Sequence, residues 1–400
     1  MSWEKMKLND VCISISDGDH QPPPKANKGV PFVTISNITN TNQFDFSSTM
    51  FVPQEYYDGL DSKRKVQEGD VLYSVVGSFG IPVYIKNNTP FVFQRHIAIL
   101  RPNVYKIAPQ FLYYTMLNKD FYLKADAVAI GAAQRTVSLT ALRNMEIEIP
   151  HIETQKKIAK ILSSYDNLID NNQKQIKLLE EDAQRLYKEW FVDLRFPGYE
   201  DVKIVNGVPE GWKKDTIDSR IELLSGYAFK SSEFNDEGKY KIITIKNVKD
   251  GQFDGVNVNR MVNIPEKMPE HCKLVDGDIL LSLTGNVGRV CIVHGENFLL
   301  NQRVAKLRSN NMAYTYCLFR SKDMFDNMNN LTNGVAQQNL SPIRTGKINI
   351  VFPTDALIQM FEKTVNPMLN KITVLNKSIL SLSQARDRLL PKLMNGEIEV

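Results

Sequence analysis

The sequence predicts an α+β chain built as two copies of one unit, each a strand-rich globule followed by a long helix. Three observations predict it. A heptad ladder occurs twice: Ile158, Tyr165, Asn172, Leu179 and Leu186 return 203 residues later as Phe361, Met368, Leu375, Leu382 and Leu389. The interleaved ladder Leu162, Ile169, Ile176, Ala183 and Trp190 returns at the same shift as Val365, Ile372, Ile379, Arg386 and Leu393. Seven-residue apolar steps with a four-three alternation are the pattern of a knobs-into-holes seam, so each helix is expected to bury its stripe on the other. Finally, the repeat reaches into the globules.

Within the globules, Gly69-Asp70-Val71-Leu72 returns as Gly277-Asp278-Ile279-Leu280 at a shift of 208. Gly77 and Gly80 return as Gly285 and Gly288, and Gln94-Arg95 as Gln302-Arg303, at that same shift. Val33-Thr34-Ile35-Ser36-Asn37 returns as Ile243-Thr244-Ile245-Lys246-Asn247 at 210, and Gly131, Ala133, Gln134 and Ser138 return as Gly334, Ala336, Gln337 and Ser341 at 203. The drift marks loop insertions and deletions between ordered elements.

Taken in order, residues 1–152 read as the first globule. Strands are predicted at Val30–Ser36, Val71–Val76, Ile81–Ile85, Ile97–Leu100 and Met145–Ile149, with one helix from Pro109 to Ala125. The proline run after Asp17-Gly18-Asp19-His20-Gln21 makes a stiff exposed loop. A helix without internal Gly or Pro follows from Glu153 to Val192, and the region 153–199 ends in Arg195-Phe196-Pro197-Gly198-Tyr199. The second globule, 200–354, has strands near Ile242–Ile245, Ile279–Leu283, Val290–Val293 and Ile348–Phe352, and a helix near Met312–Met328. The last segment, 355–400, carries a helix to about Leu390; Pro367 predicts a kink or late start, and Pro391 with Gly396 its end. Asn172 and Arg386 interrupt the apolar ladders. Either each turns to solvent, or Asn172 sets the register of the pair.

Composition narrows the function. Net charge is +4 over 400 residues, with 15 basic against 14 acidic residues in 1–150 and 20 against 18 in 200–353. DNA binding would therefore need charge segregated to one face, or a partner supplying more. No run of about 18 apolar residues occurs, and the start Met1-Ser2-Trp3-Glu4-Lys5 lacks a signal-peptide core. Cys12, Cys272, Cys291 and Cys317 form no CxxC pair, which fits reduced thiols in a cytoplasmic protein.

Catalytic motifs are absent. There is no Walker A sequence and no GxGxxG after a strand. The Asn-Pro-Pro-aromatic tetrapeptide that grips a flipped base in amino-methyltransferases is missing too, and Asn366-Pro367-Met368 lies inside a heptad. His151-Ile152-Glu153 has the H-x-E of zinc deaminases but no Pro-Cys-x-x-Cys follows. Five His with no clustered pair argue against a metal site, and Asp276 with Asp278 reads as a turn at a strand start.

Two long segments and one short linker carry a family resemblance. One is Pro-His-Ile-Glu-Thr-Gln-Lys-Lys-Ile-Ala-Lys-Ile-Leu from Pro150, continued by Leu186-Tyr187-Lys188-Glu189-Trp190-Phe191-Val192-Asp193-x-Arg195-Phe196-Pro197-Gly198. The other is Ala385-Arg386-Asp387-Arg388-Leu389-Leu390-Pro391-Lys392-Leu393-Met394-Asn395-Gly396-Glu397-Ile398. They resemble the central and closing conserved regions of specificity (S) subunits of type I restriction–modification systems. Val208-Pro209-Glu210-Gly211-Trp212 resembles the entry to their second recognition domain. One departure is Glu153-Thr154-Gln155, where the family more often has Glu-Gln together.

The resemblance implies two target recognition domains, held apart at opposite ends of an antiparallel helix pair, each reading half of a split, asymmetric site in double-stranded DNA. It implies no catalysis and no cofactor in this chain. S-adenosylmethionine belongs to two adenine-methylating partner subunits, and ATP and Mg to two motor–nuclease subunits. Two other readings compete: a single-chain methyltransferase or nuclease with built-in recognition, which would bind S-adenosylmethionine alone, and a coiled-coil scaffold with no DNA role.

The repeat also nominates DNA contacts, since residues identical in both halves cannot read two different half-sites. Gln94-Arg95 and Gln302-Arg303 are then either shared backbone contacts or structural hydrogen-bonding pairs. Gln134-Arg135-Thr136 differs from Gln337-Gln338-Asn339 between common flanks, as a base-reading loop should. A second loop offers His20, Gln21 and Lys25 in one half, and Tyr227 and Lys230 in the other. The glycine turns present Ser78 in one half, and Asn286 and Arg289 in the other, and suit close approach of phosphate or merely a tight turn.

Overall fold

The computed structural model describes residues 3–39, 41–132, 134–332 and 339–400. The chain forms two compact units. The first comprises Met1–Leu168 with Leu382–Val400, and the second Ile169–Ser381.

In the first unit a four-stranded antiparallel sheet runs in the order Cys12–Asp17, Ile97–Pro102, Val71–Ser74, Pro82–Tyr84. Every residue of Val71–Ser74 is buried, which is why the segment reads as an unbroken apolar run ending in a small hydroxyl. Beside it Val30–Val33 lies between Met50–Val52, antiparallel, and Val92–Phe93, parallel. Glu4–Lys7 pairs with Glu146–Ile149, whose alternating exposed and buried side chains give one wet and one packed face.

The second unit repeats the plan. Its four-stranded sheet is Glu222–Ser225, Val304–Arg308, Ile279–Ser282, Val290–Ile292. Its other sheet is Asn259–Met261, Tyr240–Ile243, Phe298–Leu300 and Lys273–Leu274, again with one parallel pair, Tyr240–Ile243 with Phe298–Leu300. Lys213–Thr216 pairs with Asn349–Phe352. The likeness extends to single side chains. The turn after each parallel-paired strand carries a reciprocal cap, Thr34 with Asn37 and Thr244 with Asn247, which explains why Thr-x-x-Asn survives in both copies.

The predicted helix Pro109–Ala125 is two helices, Pro109–Leu117 and Lys119–Val128, because Asn118 leaves helical φ/ψ and accepts a hydrogen bond from the Asp120 N–H. Met312–Met328 is likewise split into Met312–Arg320 and Lys322–Thr332 at Ser321, whose hydroxyl accepts from Met324 N–H at 3.3 Å. A short capping side chain inside an apolar pattern ends a helix without altering its periodicity.

Two long helices cross from the globules into the seam. The first runs Ile152–Tyr187 and widens into a π turn at Lys188–Val192. It stops where Leu194 and Gly198 take positive φ, +59° and +82°. The second runs Asp355–Met394. It starts at Asp355 and continues through Pro367, which is exposed, so the carbonyl left unpaired one turn earlier meets water; the predicted late start does not occur. Pro391 also lies within the helix, and Gly396, at φ +75°, follows its end.

The helices pack antiparallel inside each unit. In the first, the start of one and the end of the other share a core of Ile158, Leu162, Leu390, Leu393 and Met394. In the second, Tyr187, Trp190 and Phe191 at the end of the first helix meet Phe361 near the start of the second, ring centroids 5.0–6.2 Å apart. The aromatic cluster accounts for the Leu-Tyr-Lys-Glu-Trp-Phe string. Tyr165, Ile169, Ile176, Leu179, Leu186, Val365, Ile372, Leu375, Ile379, Leu382 and Leu389 are buried or half-buried as the ladders require.

The interruptions do not turn to solvent. Asn172 is 9% exposed and donates to Ser378 Oγ at 3.1 Å. Arg386 pairs with Asp166 at 2.6 Å, and Asp166 also accepts from the Tyr114 hydroxyl at 2.5 Å. In the second unit Glu180 holds Arg320 and accepts from the Tyr316 hydroxyl at 2.6 Å. Burial raises the Glu180 carboxyl above its ordinary value, while Arg320 stabilises its charge.

Candidate nucleic-acid interface

The glycine turns are built alike. Ser74 Oγ accepts from Ile81 N–H and Ser282 Oγ from Arg289 N–H, both at 2.9 Å. Gly80 N–H donates to Ser74 O and Gly288 N–H to Ser282 O, at 2.9 and 3.0 Å. Gly80 has φ +96°, and a Cβ there would sit 2.4 Å from the Tyr122 ring. Phe325, the counterpart of Tyr122 at the 203 shift, underlies Gly288 in the same way. Ser78 and Asn286 stand exposed at the tips.

The candidate reading loop docks on this turn. Thr136 bridges Val76 and Asn339 bridges Thr284, at matching places in the two units. Gly77 N–H donates to Arg135 O at 2.9 Å and is therefore spent within the protein. Gln134 and Arg135 are exposed. The Arg135 guanidinium is not idle: it pairs with the Asp126 carboxylate, donates to Asp126 O at 2.6 Å and lies 5.8 Å from the Phe79 ring centre. Phe79 in turn stacks on Tyr122 at 5.6 Å with 8° between planes. The second unit reaches a similar shelf from another element, with Arg289 6.0 Å from the Phe325 ring centre. Gln337 and Gln338 lie outside the described residues.

The other candidate loop docks on the residues before Ile97–Pro102. Gly18 and Gly226 permit this approach, since a Cβ would lie 2.1 Å from Phe93 O in one and 2.4 Å from Asn301 O in the other. Asp19 bridges Gln94, and Tyr227 bridges Asn301, both parallel. His20 is exposed and pairs with Asp17 at 2.9 Å; Gln21, Lys25 and Lys230 are exposed. Tyr227 packs edge-on against Phe229 and leans on the core, so its ring has a structural role.

These contacts correct one alignment. Arg95 N–H donates to Asp19 O, and in the second unit the donor to Tyr227 O is Gln302. Ile97 N–H donates to Gln94 O, and Val304 N–H to Asn301 O. Ser74 pairs with Ile97, and Ser282 with Val304. The true shift here is 207. Gln94 corresponds to Asn301, Arg95 to Gln302 and His96 to Arg303, so the repeated Gln-Arg letters are one residue out of register. Burial and the neighbouring Arg95 charge hold the His96 imidazole below its ordinary pKa.

Both sets of residues meet at one residue of the strand end in each unit. Val75 donates to His96 O and accepts from Val137 N–H, at 2.8 and 2.9 Å. Leu283 donates to Arg303 O and accepts from Leu340 N–H, at 2.9 and 2.7 Å. In each unit the glycine turn, the polar loop and the segment before the second strand thus share one end of the four-stranded sheet.

Other sequence candidates are structural. Asp278 accepts from Val275 N–H and pairs with Lys306, and Asp276 holds Lys377 at 2.6 Å. Glu153 pairs with Lys156 at the helix start. Among the described residues no cluster of three His, Cys, Asp or Glu could hold a metal, and no helix is long and apolar enough to cross a membrane. The four cysteines are free, and burial pushes the Cys12 thiol up to about 12.

The family described as type I restriction modification DNA specificity domain matches residues 1–181 and 209–359. The chain is 26% identical over 425 residues to the type I restriction enzyme MjaIX specificity subunit of Methanocaldococcus jannaschii, covering 100% of this chain and 94% of that one. It is 22% identical over 472 residues to the HindI specificity subunit of Haemophilus influenzae, covering 99% of each. Its fold resembles the crystal structure of the S subunit of a type I restriction–modification system from M. genitalium, with a TM-score of 0.58 and 18% identity over 98% of this chain and 96% of that one. With its two matched recognition units and paired helices, the chain belongs to the specificity subunits of type I restriction–modification systems.

Proposed function

We propose that residues 1–152 and 200–354 are two target recognition domains, each reading one half of a bipartite, asymmetric DNA site, while 153–199 and 355–400 supply the helices that join them. As a specificity subunit the chain is the DNA-recognition component that directs methylation and restriction by its partners, and it is not itself the catalyst. The observation that supports the division into two readers is the shared sheet end. Both units present polar side chains on one hydrogen-bonded frame, and the side chains differ. A common frame with different letters is what reading two sequences with one fold requires.

In this reading the chain assembles with two adenine methyltransferase subunits, which bind S-adenosylmethionine, and with two motor–nuclease subunits, which use ATP and Mg. It works in the cytoplasm. Candidate contacts are His20, Gln21, Lys25, Ser78, Gln94, Arg95, Gln134, Arg135 and Thr136 in one domain. In the other they are Lys230, Asn286, Arg289, Gln302, Arg303, Gln337, Gln338 and Asn339. The test is to express the chain with its methyltransferase in cells lacking both and to map methylated adenines. A single split motif with unlike halves is expected; methylation without a motif sinks the proposal.

A further inference from the structure

The register correction reverses the meaning of the Gln-Arg segment. Read by letters, Gln94-Arg95 and Gln302-Arg303 are invariant, and invariant residues cannot distinguish half-sites. Read by hydrogen bonds, Arg95 and Gln302 occupy one position, each donating its backbone N–H to the residue after a docking glycine, Asp19 or Tyr227. The backbone at this position is fixed in both units by a parallel bridge on one side and a strand start on the other. Only the side chain changes. Both side chains are exposed, and neither has a hydrogen-bond or ion-pair partner among the described residues. Arg135, by contrast, already spends its fork on Asp126.

Resting on the reading of the two units as half-site readers, we propose that this shared position is a specificity-determining one, Arg95 recognising guanine and Gln302 adenine. A guanidinium fork matches the two acceptors on the guanine major-groove edge, and a carboxamide matches the acceptor and donor of adenine. An invariant backbone with an Arg-to-Gln exchange is the smallest change that converts one base preference into the other.

The experiment uses the full chain with its methyltransferase subunits and maps methylated adenines genome-wide. The unaltered chain comes first: absence of a split motif defeats the underlying reading and not this proposal alone. Arg95→Lys keeps the charge and removes the fork. It is expected to relax one base position in one half-site by about 5- to 150-fold, the range of a single bidentate contact, leaving the other half intact. Gln302→Arg is expected to shift one position from adenine toward guanine in the opposite half. An unchanged motif in Arg95→Lys, with methylation intact or uniformly lowered, overturns the proposal, because a phosphate contact tolerates lysine and reads no base. Loss of methylation at every sequence overturns it too, because losing one base contact relaxes one position and leaves the other contacts in place. So does an effect of both variants on the same half-site.

Discussion

At the scale of single residues, the polar loop carries a built-in competition. Asp126 neutralises Arg135 in the free chain, so any base contact by Arg135 must displace or share that carboxylate. Arg135→Ala is expected to relax one position of one half-site, a loss of about 1–3 kcal/mol of discrimination. A uniform fall in methylation with the motif unchanged would show that Arg135 positions DNA without reading it. A second prediction concerns His294. Burial lowers its pKa against the opposing pull of the Asp276 carboxylate, and Lys377 adds to the lowering. Its Nδ1 lacks a hydrogen-bond partner among the described residues. A folded pKa below the unfolded value means that the unfolded chain binds the extra proton first. Stability is therefore full above about pH 6.5 and lost as pH falls below it. His294→Gln should lose less stability than the unaltered chain between about pH 7 and 5 in urea unfolding; an equal loss assigns the acid sensitivity to other groups. Residue identity was legible where the backbone demanded it, as at Gly77, Gly80, Thr34 and Asn37. It misled at Gln94-Arg95, because one residue fewer in the second copy carried identical letters to neighbouring positions.

At the scale of elements, the heptad ladders were the most legible feature, since period and burial come from the same geometry. The helix breaks at Asn118 and Ser321 were not, because a cap inside an apolar run leaves the hydrophobic period intact. Pro367 and Pro391 misled in the opposite direction. Both sit on exposed positions of a long packed helix, where tertiary burial outweighs one lost hydrogen bond. The Asn172 to Ser378 hydrogen bond is a polar contact inside the seam. Such contacts define register and reduce stability. Asn172→Leu should raise the unfolding free energy by roughly 1 kcal/mol. A fall on the same urea curve would make the hydrogen bond a net contributor.

At the scale of the whole molecule, the net charge of +4 limits what the chain can do alone. Phosphate neutralisation supplies most nonspecific affinity, so the isolated chain should bind duplex DNA weakly and the methyltransferase complex far more tightly. Titrations at several salt concentrations check this: the complex should show the steeper dependence of affinity on salt, and equal affinities at one salt would contradict it. The two-copy plan was legible from repeats alone, yet the shared sheet end was not, because it links segments about 120 residues apart, from Asp19 through Arg95 and His96 to Val75 and Val137. That junction has a consequence for how such a chain changes its target. An exchange of a short stretch, say around the polar loop, would strand one partner of a three-way hydrogen-bonded junction. An exchange cut within the long helices transfers each junction whole. New specificities are therefore reached more safely by trading entire globules than by patchwork, and the breakpoint that preserves folding falls in the helices and not between the reading loops.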